Sequence, residues 1–205
     1  VPADFKAESH LQTVARNTDT NPAGAFLNLF SRQSYFVSRF CFSEMETAII
    51  EKLKKTTFDI IQLEGLYVAG YIDLIRKYSK AKIILRAHNV EFKIWERHIN
   101  NEKSFIKKTY LNLQLKRLKN FELETLKNVD AIVSITVVDK GIFETLVPGK
   151  PVYTCITGVN VEYYKKPGKN HLKPKTVFYF ASMDWIPNQE AVDWFLKNCW
   201  KKVHG

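Results

Sequence analysis

From residue 58 to residue 156 short apolar runs alternate with longer segments of helical periodicity, and this alternation restricts the fold more than any other feature. The apolar runs cover 58–63, 82–87, 130–135 and 151–156. Each is too short for a helix and rich in the β-branched and aromatic residues that strands favour. Between them the spacing predicts helices over 66–78, 92–99, 102–127 and 139–146. In the long one, Leu111, Leu115, Leu118 and Phe121 recur every third or fourth residue and make one apolar stripe. Strands separated by helices of this length are βαβ units. The expected class is therefore α/β, with a doubly wound parallel sheet, right-handed crossovers and helices on both faces.

The flanks are less regular. Residues 10–18 read as one strand, and Asn21-Pro22 opens a short helix over 23–30. Ser43 and Glu46 have the spacing of a capping box at the start of a helix that runs to about Lys55. Met45, Ile49 and Leu53 would form its inward face. Residues 165–175 hold five lysines and two prolines, the composition of a linker. That divides the chain into a domain over 1–164 and a single strand–helix unit over 176–205, with a strand at 176–181 and a helix at 188–202. The apolar face of the latter (Val192, Trp194, Phe195, Trp200) would invite a homodimer if left uncovered.

Composition narrows the function classes. The chain of 205 residues is 45% hydrophobic with 8 Gly and 7 Pro, which excludes a disordered or collagen-like protein. Cys41, Cys155 and Cys199 are far apart and form no CxxC pair, so a disulfide framework or zinc site is not expected and a reducing compartment is. No apolar run reaches the roughly 18 residues of a membrane span. The net charge of +10 is concentrated in the middle of the chain, where Lys103, Lys107, Lys108, Lys116, Arg117 and Lys119 cluster. Such a field suits a bilayer surface, phosphates or nucleic acid, and equally a solvated helix face.

In a sheet of this kind ligands bind beyond the carboxyl ends of the strands. That rule selects Glu64-Gly65, the run from Ala87 to Glu91, Ser134 to Thr136, and Thr157-Gly158. Glycine at 65 and 158 lets the backbone turn or approach a ligand closely. His88 is the most suggestive residue, because an imidazole there can donate to a sugar hydroxyl, accept a proton or position a phosphate. Glu91 would orient it or open the following helix. His98 lies ten residues away and no tight ligand pair exists, so no metal is expected. The chain has no GxGxxG, GxxxxGK[ST] or GxSxG motif.

Several runs together resemble a known family. Phe58-Asp-Ile-Ile-Gln-Leu-Glu-Gly65, Arg86-Ala-His-Asn-Val-Glu91 and Asp130-Ala-Ile-Val-Ser134 are similar to the amino-terminal domain of family 4 glycosyltransferases of bacterial polysaccharide assembly. Gly158-Val-Asn160 fits the passage to the second domain, and Ala181-Ser-Met-Asp-Trp-Ile-Pro-Asn188 the start of that domain. The resemblance implies a GT-B architecture of two Rossmann-like domains, the first holding the acceptor and the second the nucleotide-sugar donor. It implies transfer with retained anomeric configuration and no metal cofactor, onto a glycan or lipid-linked acceptor. His88 would be the catalytic residue facing the donor sugar. Gly65, Asn89, Glu91 and Thr136 would line the acceptor side, and Gly158 would also bind substrate. Ser182 would lie near the donor phosphates. The family's first strand and glycine-rich loop have no counterpart in residues 1–20, and its acidic donor motif would fall beyond residue 205. The expectation is thus a chain truncated at both ends and inactive alone. Such a protein would sit in the cytoplasm at the inner face of the membrane, in contact with anionic lipid and not nucleic acid. Two alternatives are a GT-B nucleotide-sugar epimerase fragment and a non-enzymatic domain that binds anions or nucleic acid.

Overall fold

The computed structural model describes residues 11–164, 177–184 and 186–204. The chain divides into two compact units between Thr157 and Gly158. In the first, helices α1 (Pro22–Leu27), α2 (Tyr35–Ser38) and α3 (Ser43–Lys55) precede strand β1 (Ile60–Glu64). A 3-10 helix over Leu66–Tyr71 runs into α4 (Ile72–Tyr78), followed by β2 (Lys82–Ala87). Helices α5 (Glu91–Asn100) and α6 (Phe105–Asn128) lead to β3 (Ala131–Ser134), and α7 (Val137–Leu146) to β4 (Val152–Thr154). The four strands are parallel and stand in chain order, β1-β2-β3-β4. This is an α/β unit with an all-parallel sheet, consistent with a Rossmann-like fold, as the alternation of apolar runs predicts.

The register sorts the strand residues onto two faces. Leu63, Leu85, Ile132 and Val152 form one row, and Ala87, Ser134 and Thr154 the next. Most of this face is buried, in a core with Phe36, Leu66, Ile72, Leu118, Leu126 and Phe143. The opposite face carries the rows Gln62, Ile84, Ala131 and Glu64, Arg86, Val133, Tyr153. It is largely open: Ile60 is 57% and Tyr153 62% exposed. The expected helices on both faces are therefore not found among the described residues. The cause is the strand order. Right-handed crossovers that always step the same way put every connecting helix on one face, and no reversal occurs among these strands.

Polar residues of α6 tie the helical layer together. The buried Gln114 side chain accepts the Tyr35 N–H (2.8 Å) and donates to Asn28 Oδ1 (3.1 Å). Arg117 donates to the carbonyls of Asn28 (3.0 Å) and Leu29 (3.1 Å). At the amino ends of the strands, Asp130 accepts the Ile83 N–H (2.8 Å) and an Arg76 N–H (2.6 Å). These bonds hold its carboxyl at about 2, well below the ordinary value. Gly70 lies so close to Cys41 that a Cβ there would stand 2.3 Å from the sulfur.

Three further sequence expectations need correction. Residues 11–18 form no strand; their apolar residues are too few to hold a sheet edge. Ser43 does not cap α3, which starts one residue earlier in its bonding: Phe42 is the cap, and its carbonyl receives the Glu46 N–H. The Ser43 hydroxyl turns to Glu44 instead (3.2 Å). In the second unit, residues 177–181 are irregular rather than a strand, and Val177, Phe178, Tyr179 and Phe180 are exposed. Strand propensity without a paired edge does not make a strand. The linker expected over 165–175, like Thr176, lies outside the described residues.

The regular elements described in the second unit are helices. They are α8 (Val161–Tyr164), α9 (Ile186–Phe195), a π-helical turn (Leu196–Trp200) and α10 (Lys201–His204). Trp194 is exposed, while Val192, Phe195 and Trp200 are half-buried.

Candidate functional site

The carboxyl ends of β1 and β2 bring together the polar side chains that could do chemistry. Register sets the first pair: Glu64 lies beside Arg86 on the open face, and an Arg86 N–H donates to Glu64 Oε2 (3.1 Å). His88, two residues past Arg86, reaches the same oxygen with Nε2 (2.9 Å). Burial acts to raise the Glu64 carboxyl, but bonds from His88, Arg86 and Gln62 outweigh it and hold the carboxyl below its usual range. An ionised Glu64 can only accept, so the proton of the contact sits on His88 Nε2. In the neutral ring this leaves Nδ1 as the acceptor. The imidazole is thus aimed by a carboxylate and half-exposed at the strand end, an arrangement suited to accepting a proton or a hydroxyl hydrogen bond.

Gly65 follows Glu64 with φ +90° and ψ 162°, a conformation open essentially to glycine alone. Its N–H donates to the Arg86 carbonyl (3.0 Å), which carries the β1–β2 ladder one residue further. Nothing lies within 4 Å of a Cβ built there. The glycine is needed for the turn, and it leaves open space beside the Glu64–His88 pair.

A second, buried group lies behind His88. Glu122 of α6 accepts the N–H groups of Glu91 (3.0 Å) and Phe92 (2.9 Å), the first two residues of α5. Glu91 itself is buried, and its carboxylate accepts from the Tyr67 hydroxyl (2.7 Å) and from Asn89 Nδ2 (3.5 Å). Trp95 Nε1 donates to the same Tyr67 oxygen (3.3 Å). Burial raises the Glu91 carboxyl above its ordinary value, against the bonds from Tyr67 and Asn89. Burial likewise lifts Glu122 to about 7, with the nearby Glu91 charge pushing the same way and the two amides pushing back. The Tyr67 hydroxyl is raised by burial and by the Glu91 charge.

The sequence-derived site residues are placed as follows. His88, Gly65, Asn89 and Glu91 gather at the β1–β2 end. Of these, Glu91 faces Tyr67 in the interior. Thr136 caps α7: its Oγ1 accepts the Asp139 N–H (3.0 Å) and donates to Asp139 Oδ2 (2.7 Å). Gly158 and Ser182 belong to the second unit. Gly158 lies in the irregular stretch before α8, and the Ser182 carbonyl accepts from Asn188 Nδ2 (2.8 Å). Sequence reasoning does not single out Glu64 as a partner of His88, nor Tyr67 and Glu122. Only Glu64 leaves a signal, as the acidic last residue of a strand whose neighbour ends in Arg86 and His88.

A separate cavity of about 570 Å3 opens between the helices, lined by Arg32, Cys41, Glu46, Asp73, Arg117 and Glu124 among others. No cluster of three or more His, Cys, Asp or Glu residues suited to a metal ion is found among the described residues. Nor is any helix among them long and apolar enough to cross a membrane. Compared with profiles of known families, with characterised proteins and with solved structures, the chain matches none.

Proposed function

We propose that this chain is the acceptor-side part of a retaining glycosyltransferase with GT-B architecture, moving a sugar from a nucleotide-sugar to a glycan or lipid-linked acceptor. One observation carries the reading. His88 stands at the carboxyl end of an inner parallel strand, aimed by Glu64 from the neighbouring strand and flanked by the open space at Gly65. Open α/β sheets bind their ligands outside the carboxyl ends of the strands, and His88 stands at that end. The pair can hold a sugar hydroxyl through Nδ1 while Glu64 fixes the ring. Arg86 neutralises Glu64 and keeps it from repelling an anionic donor. The catalytic role proposed for His88 is to align the reacting groups by hydrogen bonding. Metal assistance is not part of the proposal.

The lipid-linked class of acceptor draws on a second feature. Phe105 and Ile106, both 83% exposed, open α6 beside Lys103, Lys107 and Lys108. Phe26, Leu27 and Phe30 are also exposed, on a segment joined to α6 through Tyr110, Gln114 and Arg117. Apolar side chains set among lysines fit the headgroup region of an anionic bilayer, where each basic residue contributes roughly 1 kcal/mol. This supports a place at the inner face of the cytoplasmic membrane.

Saturation-transfer NMR against a panel of nucleotide-sugars, glycans and polyprenyl-linked sugars tests the reading. The expected result is binding by the unmodified chain that weakens at least about tenfold in His88→Ala, a loss of about 1.4 kcal/mol. No binding by any sugar ligand, or equal binding by His88→Ala, overturns it.

A further inference from the structure

Only Asn89 and Val90 separate His88 from the first residue of α5, so His88 cannot be aimed independently of where that helix begins. Helix starts leave amide groups without intrahelical partners, and a Ser, Thr, Asp or Asn at the cap normally satisfies one. Here the cap residue is Val90, whose side chain has no acceptor. The acceptor comes from elsewhere. Glu122, some thirty residues on in the chain and 2% exposed, takes the amide protons of both Glu91 and Phe92. The Glu91 side chain then returns toward the loop, bonded to Asn89 on one oxygen and to Tyr67 on the other.

We propose that Glu122 is a positioning residue for His88: by holding the first two amides of α5 it fixes the Asn89–Glu91 turn, and with it the direction in which His88 leaves β2 toward Glu64. The functional weight of this proposal rests on the reading of His88 given above. Its structural content does not need a sugar. The groups facing Glu122 are Glu91 from α5 and Tyr67 from the 3-10 helix. Its own helix adds Lys119, whose ammonium lies 4.8 Å from the centre of the Phe92 ring. His88 acts on Glu91 from the loop. Protonation of Glu122 removes charge from the two amide bonds, so the aim of His88 becomes sensitive to pH through a group that never touches it.

The test is NMR on the isotope-labelled chain without ligand. In Glu122→Gln, amide exchange at Glu91 and Phe92 is expected to speed up at least about tenfold, as for a helix start that opens locally. The ring Nε2 signal of His88 is expected to leave its wild-type position as the Glu64 contact loosens. A merely structural role for Glu122 would speed the exchange without moving that ring signal. A folded Glu122→Gln variant with the His88 signal unmoved overturns the proposal. A second measurement needs no variant. In the unmodified chain, the amide signals of Glu91 and Phe92 and the side-chain amide of Asn89 are expected to titrate with one midpoint. Titration of Glu91 and Phe92 with Asn89 unmoved overturns the proposal, even if the variant fails to fold. Neither measurement involves a sugar, so failure here and failure of the glycan-binding experiment are told apart.

Discussion

Burying a carboxylate beside a second one should leave its mark on stability, and Glu122 offers the clearest case. The perturbation is a change of pH, in the unmodified chain and in Glu122→Gln. In the folded protein the Glu122 carboxyl is lifted to about 7 from an ordinary 4.5. A pH unit of separation is worth about 1.4 kcal/mol, so the difference amounts to about 3 kcal/mol. The sign follows from proton counting. Between those two values the folded chain holds a proton that the unfolded chain has released, so stability falls as pH rises from about 4.5 to about 7, then levels off. Glu91, also raised by burial, adds to the same fall. Asp130 and Glu102, both held at about 2, act in the opposite sense, but their contributions are complete by about pH 5. Urea unfolding between pH ~5 and ~8 therefore isolates the buried pair. The unmodified chain should lose about 3 kcal/mol across that range, a midpoint shift of roughly 1 M urea. Glu122→Gln, neutral throughout, should lose well under half as much. Parallel pH profiles for the two proteins would refute the reasoning. They would mean that the two amide bonds offset the burial of the charge in full.

Two further outcomes follow from the packing. Gly70→Ala forces a Cβ against the Cys41 sulfur and is expected to cost about 1–3 kcal/mol in chemical denaturation, with Cys41→Ala in the same chain restoring at least half; additive losses would sink this reading. Asp130→Asn keeps the size but weakens the bonds to Ile83 and Arg76. It should cost about 1–2 kcal/mol at neutral pH and much less near pH ~2, where the wild-type carboxyl is itself becoming protonated.

The strands were legible because short runs rich in Ile, Leu and Val stand between longer segments of helical periodicity. Residues 82–87 match the observed β2 to the residue. The stripe of Leu111, Leu115, Leu118 and Phe121 does face the core. What periodicity misreads is polarity inside that stripe. Gln114 and Glu122 look like the wet side of α6, yet both are buried, because their partners come from Tyr35, Asn28, Glu91 and Phe92 far along the chain. The same limit applies at the candidate site. His88 is conspicuous as a lone imidazole after a strand. Its link to Glu64 depends on which strands are neighbours and in what register, which local pattern does not carry. Residues 177–181 show the converse error: an apolar, aromatic run with every local mark of a strand takes no regular form where it is exposed.

The sheet face left open by the helices of the first unit has a consequence for how this protein behaves at high concentration. A flat apolar sheet surface invites another to lie against it, as in fibril-forming stacks. Here Lys82, Glu64 and Arg86 stand among Ile60, Ile84, Val133 and Tyr153. Stacking a second sheet on that surface would strip water from an ammonium, a carboxylate and a guanidinium at once, and their mutual pairing would not make up the loss. Glu64, which aims His88, thereby also acts with Arg86 and Lys82 as a gatekeeper against aggregation. Replacing Glu64 and Arg86 together by leucine would leave Lys82 alone to resist stacking, and turbidity on concentration would be the first sign.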